Sequence, residues 1–292
     1  MEKMDTTNGT LRFNVGSLEC VAISDGCFTY ATANFFPTAP SELLALEFGG
    51  SVPQEVISPY TCLAVRAEAQ WILLDTGAAG MGPTTGNFRA NLHVAGIRTS
   101  DVTQVVLTHA HPDHIGGVID ADGRLSFPDA QLLMMKQEWD FWSQPDLLSR
   151  LPRHLPEMAR ERQTRTFLSR FPVLKQKVKL VEQEAEVARG IRVLLAPGHT
   201  PGHVIVQLRS GRDTLMYISD TVLHPIHLVH PDWRPVYDMD QDEAEKTRRS
   251  TLSRIASEGM LVFAFHFQFP AVGHIRSKGE AWSWEPVSEG VF

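Results

Sequence analysis

Apolar residues along this chain come in short bursts, and the polar positions within and between them say which element each burst builds. β-Branched and apolar runs bounded by Gly, Pro, Asp or Asn predict strands at residues 11–15, 18–24, 61–66 and 70–74. Further runs fall at 104–108, 130–135, 178–181, 191–195, 204–208, 214–218 and 260–265. Helical spacing covers 41–48, 85–95 (stopped by Gly96), 137–143 and 241–257, with a longer stretch over 146–171 that Pro152 and Pro156 interrupt. Residues 28–59 are a long connection rich in Pro, Gly and Ser that carries Phe35 and Phe36, which predicts a lid or a dimerisation arm. Strands and helices interleave without a repeat or a low-complexity linker, so the pattern predicts one α/β domain over residues 1–292 with covered sheets.

Composition narrows the partners. Twenty-seven Lys and Arg against 34 Asp and Glu leave a net charge of −7, which argues against a nucleic-acid surface. No apolar run reaches the length of a membrane span, and residues 1–5 place acids where a signal peptide would be basic. Cys20, Cys27 and Cys62 include no Cys-x-x-Cys pair, so free thiols in a reducing cytoplasm are expected. Arg150, Arg153, Arg160, Arg162, Arg165 and Arg170 read as a solvated helix face.

Candidate chemistry concentrates at residues 108–117, Thr-His-Ala-His-Pro-Asp-His-Ile-Gly-Gly. His109 and His111 are two apart in an extended segment, so both can reach one metal ion. Pro112 turns the chain, and Asp113 and His114 can then face a second position. Imidazole nitrogen with carboxylate oxygen suits zinc, and also cobalt, manganese or iron. His199 in a Gly- and Pro-rich turn, Asp220 and His266 complete a set of seven, each at or just past a predicted strand's C-terminal end.

These motifs resemble the signature of the metallo-β-lactamase superfamily, His-x-His-x-Asp-His followed by His, Asp and His, over residues 11–287. The resemblance implies an αββα sandwich with the site at one edge. It implies that His109, His111 and His199 hold one metal, that Asp113, His114 and His266 hold another, and that Asp220 bridges them. Residues 72–77, Ile-Leu-Leu-Asp-Thr-Gly, look like the family's early strand motif and imply that Asp75 orients a ligand histidine. No cysteine lies near the motifs, unlike the commonest β-lactamases, and His111 stands where flavodiiron members carry an acid. The run 266–275 and the loop 224–233 look like the methyl parathion hydrolase and N-acyl homoserine lactone lactonase branch, although Leu223 stands where such lactonases often have tyrosine.

The chemistry expected from such a site is attack by a hydroxide bridging two divalent ions about 3.5–4 Å apart, zinc first among the candidates. Its target would be a lactone, ester or phosphotriester, with Asp113 or Asp220 moving the proton. No Gly-x-Ser-x-Gly elbow offers another nucleophile. Phe35, Phe36, Phe141, Trp142, Leu223, His224 and Phe269 are expected to line a pocket for a small hydrophobic, uncharged substrate, with Trp139 and Phe267 as further candidates. His227 and His230 are read as pocket lining or surface, and His93, His154, His203 and His274 as structural or exposed. The competing readings are a non-catalytic metal-binding regulatory protein and a thioester hydrolase; a homodimer is expected through the arm.

Overall fold

A computed structural model describes residues 9–287; the segment 1–5 and both extremities of the 1–292 span lie outside the described residues. The first sheet is ordered as the chain runs: β1 (Thr10–Val15), β2 (Leu18–Ala31), β3 (Glu55–Ala67), β4 (Gln70–Leu74), β5 (Val102–Val106), β6 (Gln131–Met135) and β7 (Val178–Val181). Its pairings are antiparallel as far as β4 and parallel from β4 to β7. Between these strands lie α1 (Thr32–Phe35), α2 (Ser41–Glu47), α3 (Phe88–Val94), α4 (Pro112–Ile115), α5 (Lys136–Trp142), α6 (Leu147–Arg150) and α7 (Glu157–Lys177). The second sheet comprises β8 (Ala185–Ala188), β9 (Ile191–Leu195), β10 (Val204–Ser210), β11 (Asp213–Tyr217), β12 (Leu261–Phe263), β13 (Val272–Lys278) and β14 (Ala281–Pro286). α8 (Ile226–Val229) and α9 (Gln241–Glu258) connect the parallel pair β11 and β12.

Burial explains the layering. β3 buries every residue from Tyr60 to Val65, so both of its faces are covered. One face meets the other sheet; helices cover the outer faces, with α3, α5 and α7 on the first sheet and α9 on the second. The result is the expected αββα sandwich. α9 shows how sequence sets a boundary. Asp240 Oδ1 accepts the Glu243 N–H at 3.0 Å, Gly259 ends the helix at φ 63°, and Ala244, Arg248, Thr251, Leu252 and Ile255 form its inward stripe.

Several boundaries differ from the pattern-based reading. β2 runs on to Ala31 and β3 begins at Glu55, pairing Ala31 with Glu55, so the irregular arm is residues 32–54 rather than 28–59. A register shift between Ser24 and Gly26 breaks the alternation there and hides the strand's continuation. α7 passes through Pro172 to Lys177, because buried Phe167 and Leu174 anchor it on both sides of the missing N–H. β8, β13 and β14 were not expected; their half-exposed, charged sequences carry little apolar signal. The last apolar strand stops at Phe263, which leaves Phe265 and His266 in the turn beyond it.

Candidate metal centre

Turns at one edge of the two sheets bring the seven side chains together. Beyond β5, Pro112 occupies the first turn of α4, where its missing N–H costs nothing, and Asp113 and His114 follow on that turn. His199 lies in the β9–β10 turn after Gly198, whose φ is +119° and where a Cβ would lie 2.2 Å from Ala244 N. Only glycine fits that approach. Ser219 at φ 43° and Asp75 at φ 65° are held in the left-handed region just past β11 and β4, a strain of about 1–3 kcal/mol each that aims side chains at the same edge.

His109, His111, His199 and Asp220 form one group, and Asp113, His114, Asp220 and His266 a second; within each, one donor atom per residue lies within 4.8 Å of the others. All seven are buried. His199 Nε2 is 2.9 Å from His111 Nδ1 and 3.2 Å from Asp220 Oδ2, with His109 Nε2 3.7 Å from that oxygen. His266 Nε2 is 3.1 Å from Asp220 Oδ2, and His114 Nε2 is 3.0 Å from Asp220 Oδ1. Yet His109 Nε2, His114 Nε2 and Asp220 Oδ1 have no hydrogen-bond partner. Buried polar atoms are seldom left so, and a pair of cations bound by nitrogen and oxygen donors would satisfy them all.

Contacts behind the donors fix their tautomers. His114 Nδ1–H donates to Asp75 Oδ2 at 2.8 Å, and the same carboxylate accepts from the Thr108 N–H and hydroxyl and from the Tyr217 hydroxyl. His199 Nδ1–H donates to Asp238 Oδ1 at 2.9 Å, and Arg248 Nη2 holds Asp238 Oδ2 at 2.7 Å. His266 Nδ1–H faces Ser58 Oγ at 2.9 Å and Pro59 O at 3.2 Å. In each ring the bound Nδ1 leaves the Nε2 lone pair directed at the shared space. His203 is structural: it donates Nδ1–H to Ala196 O, and its Nε2 accepts the Asp220 N–H at 3.1 Å. Glu138 accepts from Ala110 N, Trp142 Nε1, Thr200 Oγ1 and Gly202 N, which ties the His109–His111 segment to the His199 turn. Sequence reading missed Asp238, Arg248, Ser58 and Glu138. A polar residue at a buried helical position was the one available signal, and only for Glu138 and Arg248.

Burial, reinforced by neighbouring imidazoles, holds His109 and His111 well below the ordinary histidine range. Against the pull of burial, Asp220, Asp75 and Asp113 raise His114 well above it, while Asp220 and Asp238 raise His199 to about 9. The carboxylates thus favour positive charge at these two rings, where bound cations would supply it.

A narrow cleft, about 30 Å³ inside and about 420 Å³ with its open mouth, leads to this set. Phe35 and Leu223 line it, together with Tyr30, Met81, Gln163 and Tyr237, which sequence reading did not single out. Phe36 instead lies within the arm cluster, 4.9 Å from the His227 ring. His224 sits between Phe35, Phe36 and Phe48. Phe141 borders a separate surface groove with Pro197 and Met239. Trp142 is fully buried with its edge toward the His111 ring, and Phe269 packs at the margin of the main core. Trp139 stacks on Phe171, and Phe267 belongs to the interior of the second sheet. His227 is neither lining nor surface: the arm closes over it, and Nε2–H donates to Phe35 O at 3.0 Å. His230 stacks on Trp233 and donates to Glu47. Nor is the arginine run wholly solvated. Arg162 lines the cleft, and Arg170 is half-buried and donates to Gly116 O, because α7 turns one face inward.

Residues 58–266 match the model of the Metallo-beta-lactamase superfamily. Probable metallo-hydrolases of Mycobacterium bovis and Mycobacterium tuberculosis are each 30% identical over 145 residues, 44% of this chain and 40% of theirs. The chain therefore spans less than half the length of these relatives. Among solved structures, the dizinc quorum-quenching lactonase AidC, in complex with a product, is 28% identical with a TM-score of 0.85, over 96% of this chain and 98% of that one. Hydrolase AbOPH of the beta lactamase superfamily is 26% identical with a TM-score of 0.87 over the same shares. A probable metal-dependent hydrolase from Staphylococcus aureus, 16% identical over 94% of this chain and 99% of that one, shares the fold at a TM-score of 0.75.

Proposed function

The chain belongs to the metallo-beta-lactamase superfamily, and on that premise we propose that it is a dinuclear metal-dependent hydrolase of small hydrophobic lactones and esters. His109, His111 and His199 hold one cation, Asp113, His114 and His266 the other, and both share Asp220. The observation that carries this reading is two buried donor groups meeting at one carboxylate on the floor of a cleft. Bound, two divalent ions, zinc as in the dizinc lactonase AidC, supply a water acidic enough to attack as hydroxide and a Lewis acid for the acceptor oxygen.

The chain's own residues do the rest. Asp75, Asp238 and Ser58 hold three rings in the tautomer that leaves Nε2 bare. Asp113 or Asp220, both at the cleft floor, would take the proton from the attacking water and return it to the leaving oxygen. Asp113 is the better placed as a base, since against the pull of burial neighbouring imidazoles hold the Asp220 carboxyl well below the usual carboxylate range. Phe35, Met81 and Leu223 surround an alkyl or acyl group with apolar surface. A regulatory protein that kept the metals without turnover would be expected to lack a donor; among the described residues, all seven donors are present. Unpaired Cys20, Cys27 and Cys62 support a reducing cytoplasmic setting. Exposed Leu46 (72%) and Ile57 (65%), at the arm and the base of its hairpin, support a homodimer.

A panel of acyl homoserine lactones, aryl esters, thioesters and paraoxon-type triesters tests the reading, run after chelation and after reloading with zinc, cobalt or manganese. Lactones or esters should turn over best, chelation should abolish turnover, and about two metal ions per chain should restore it. Full activity in the chelated protein, or none on any substrate in the loaded one, would overturn it.

A further inference from the structure

Arg162 lines the cleft, yet the hydrolytic chemistry gives it no task. Its place follows from α7, where buried Ala159, Gln163 and Phe167 set the inward face and Arg162 stands half-buried at its border. The guanidinium lies over the Phe28 ring at 5.2 Å and makes no hydrogen bond or ion pair with any described residue. The ring contact steadies the cation without using an N–H, so its donors all remain. A charge drawn partly out of water without a partner is an unmet demand.

The protein around it does not answer that demand. Among the described residues, the carboxylates lining the cleft are Asp113 and Asp220, and both belong to the metal donor set. Tyr30 lines the cleft as well and shares a 2.6 Å hydrogen bond with the Tyr60 hydroxyl. Two hydroxyls joined by one bond leave one proton over, whichever oxygen donates. The wall is thus rich in donors and short of acceptors. Two divalent ions would outweigh the two carboxylates, so the cleft is locally positive in a chain of net charge −7.

An ammonium group would be repelled here, and a neutral substrate would leave the guanidinium to water. A carboxylate meets it with two coplanar oxygens, the geometry of the guanidinium fork. We infer that Arg162 is a specificity residue that pairs with a carboxylate carried by the substrate away from its scissile bond. The stem between the two lies along Phe35, Met81 and Leu223. This rests on the hydrolase reading and gives its hydrophobic ester or lactone an anionic end, where apolar lining alone predicted an uncharged one.

The test uses the metal-loaded protein with a monoaryl adipate and the methyl ester of its free carboxylate, equal in chain length. The wild type should favour the anion by about tenfold in kcat/KM, the scale of a charge-assisted hydrogen bond, and added salt should shrink the preference. Ions at the cleft floor also attract anions, so the variants decide. Arg162→Met, which keeps an apolar stem over Phe28, should lower the ratio about tenfold; Arg162→Lys, which keeps the charge without the fork, should lower it less. Mere damage to the fold would slow both substrates together, so an unmoved ratio in Arg162→Met overturns the pairing. Calorimetry with an aryloxyhexanoate, an ether that cannot be hydrolysed, reads the same pairing without turnover. The wild type should bind it about tenfold tighter than Arg162→Met. If neither ester is opened while that difference appears, the pairing stands and the hydrolase reading falls. Equal affinity of the two proteins overturns the pairing, whether or not the esters are opened.

Discussion

Under the arm, His227 donates Nε2–H to Phe35 O, its Nδ1 has no partner, and burial pushes its pKa down to about 3. The ring is therefore neutral in the folded protein, whereas an unfolded histidine titrates near 6.5. Because the folded value is the lower one, the stability this group allows is present above about pH 6.5 and is lost as pH falls toward 3. Between pH 7 and pH 5 the wild type should lose about 2 kcal/mol more than His227→Gln, which keeps a donor but does not titrate. Denaturant titrations of both proteins in one metal state decide this; parallel losses would refute it. At this scale the sequence was most readable where ligand types cluster locally, as in His109, His111, Asp113 and His114, or follow an apolar strand, as in Asp220. Asp238 and Ser58 were not readable, because their roles exist only once distant turns meet the His199 and His266 rings. Arg162 was misread for the same reason: a charge pattern does not say which way the helix bearing it lies.

α5 is short, but one of its side chains joins two elements of different sheets. Glu138 presents two oxygens to four donors, so a glutamine amide in its place would set an NH₂ group against two of them. Glu138→Gln should cost about 2–4 kcal/mol in stability. It should also weaken metal binding about 10- to 100-fold, since Ala110 lies between two of the proposed ligands and Thr200 adjoins a third. Competition with a chromophoric zinc chelator measures the second effect, and unchanged affinity would show that the tie is not needed. Elements were legible where apolar runs are continuous, as in β4 to β6 and β9 to β11, and where a cap is explicit, as in α9. They were not where a strand has one wet face or a bulge. The join of β2 to the arm was lost at Gly26, and β13 and β14 were lost behind Arg276, Lys278 and Glu285.

The whole molecule exposes apolar side chains on the arm, among them Leu43, Leu46 and Val52, that a lone copy leaves in water. Light scattering at micromolar concentration should report twice the 32.6 kDa chain mass, and Leu46→Glu should shift the population toward the single chain; a monomer in the wild type would contradict the homodimer. The two sheets make a different kind of pairing. The backbone passes between them at exposed residues 182–184, and each proposed ion takes its donors from both sides of that passage. A slip of one layer over the other by an ångström would misplace the reacting groups by as much, at a cost of about a hundredfold in rate. Under the proposed hydrolase reading, turnover would be the finest gauge of registry between the halves, faltering before any spectroscopic sign of melting.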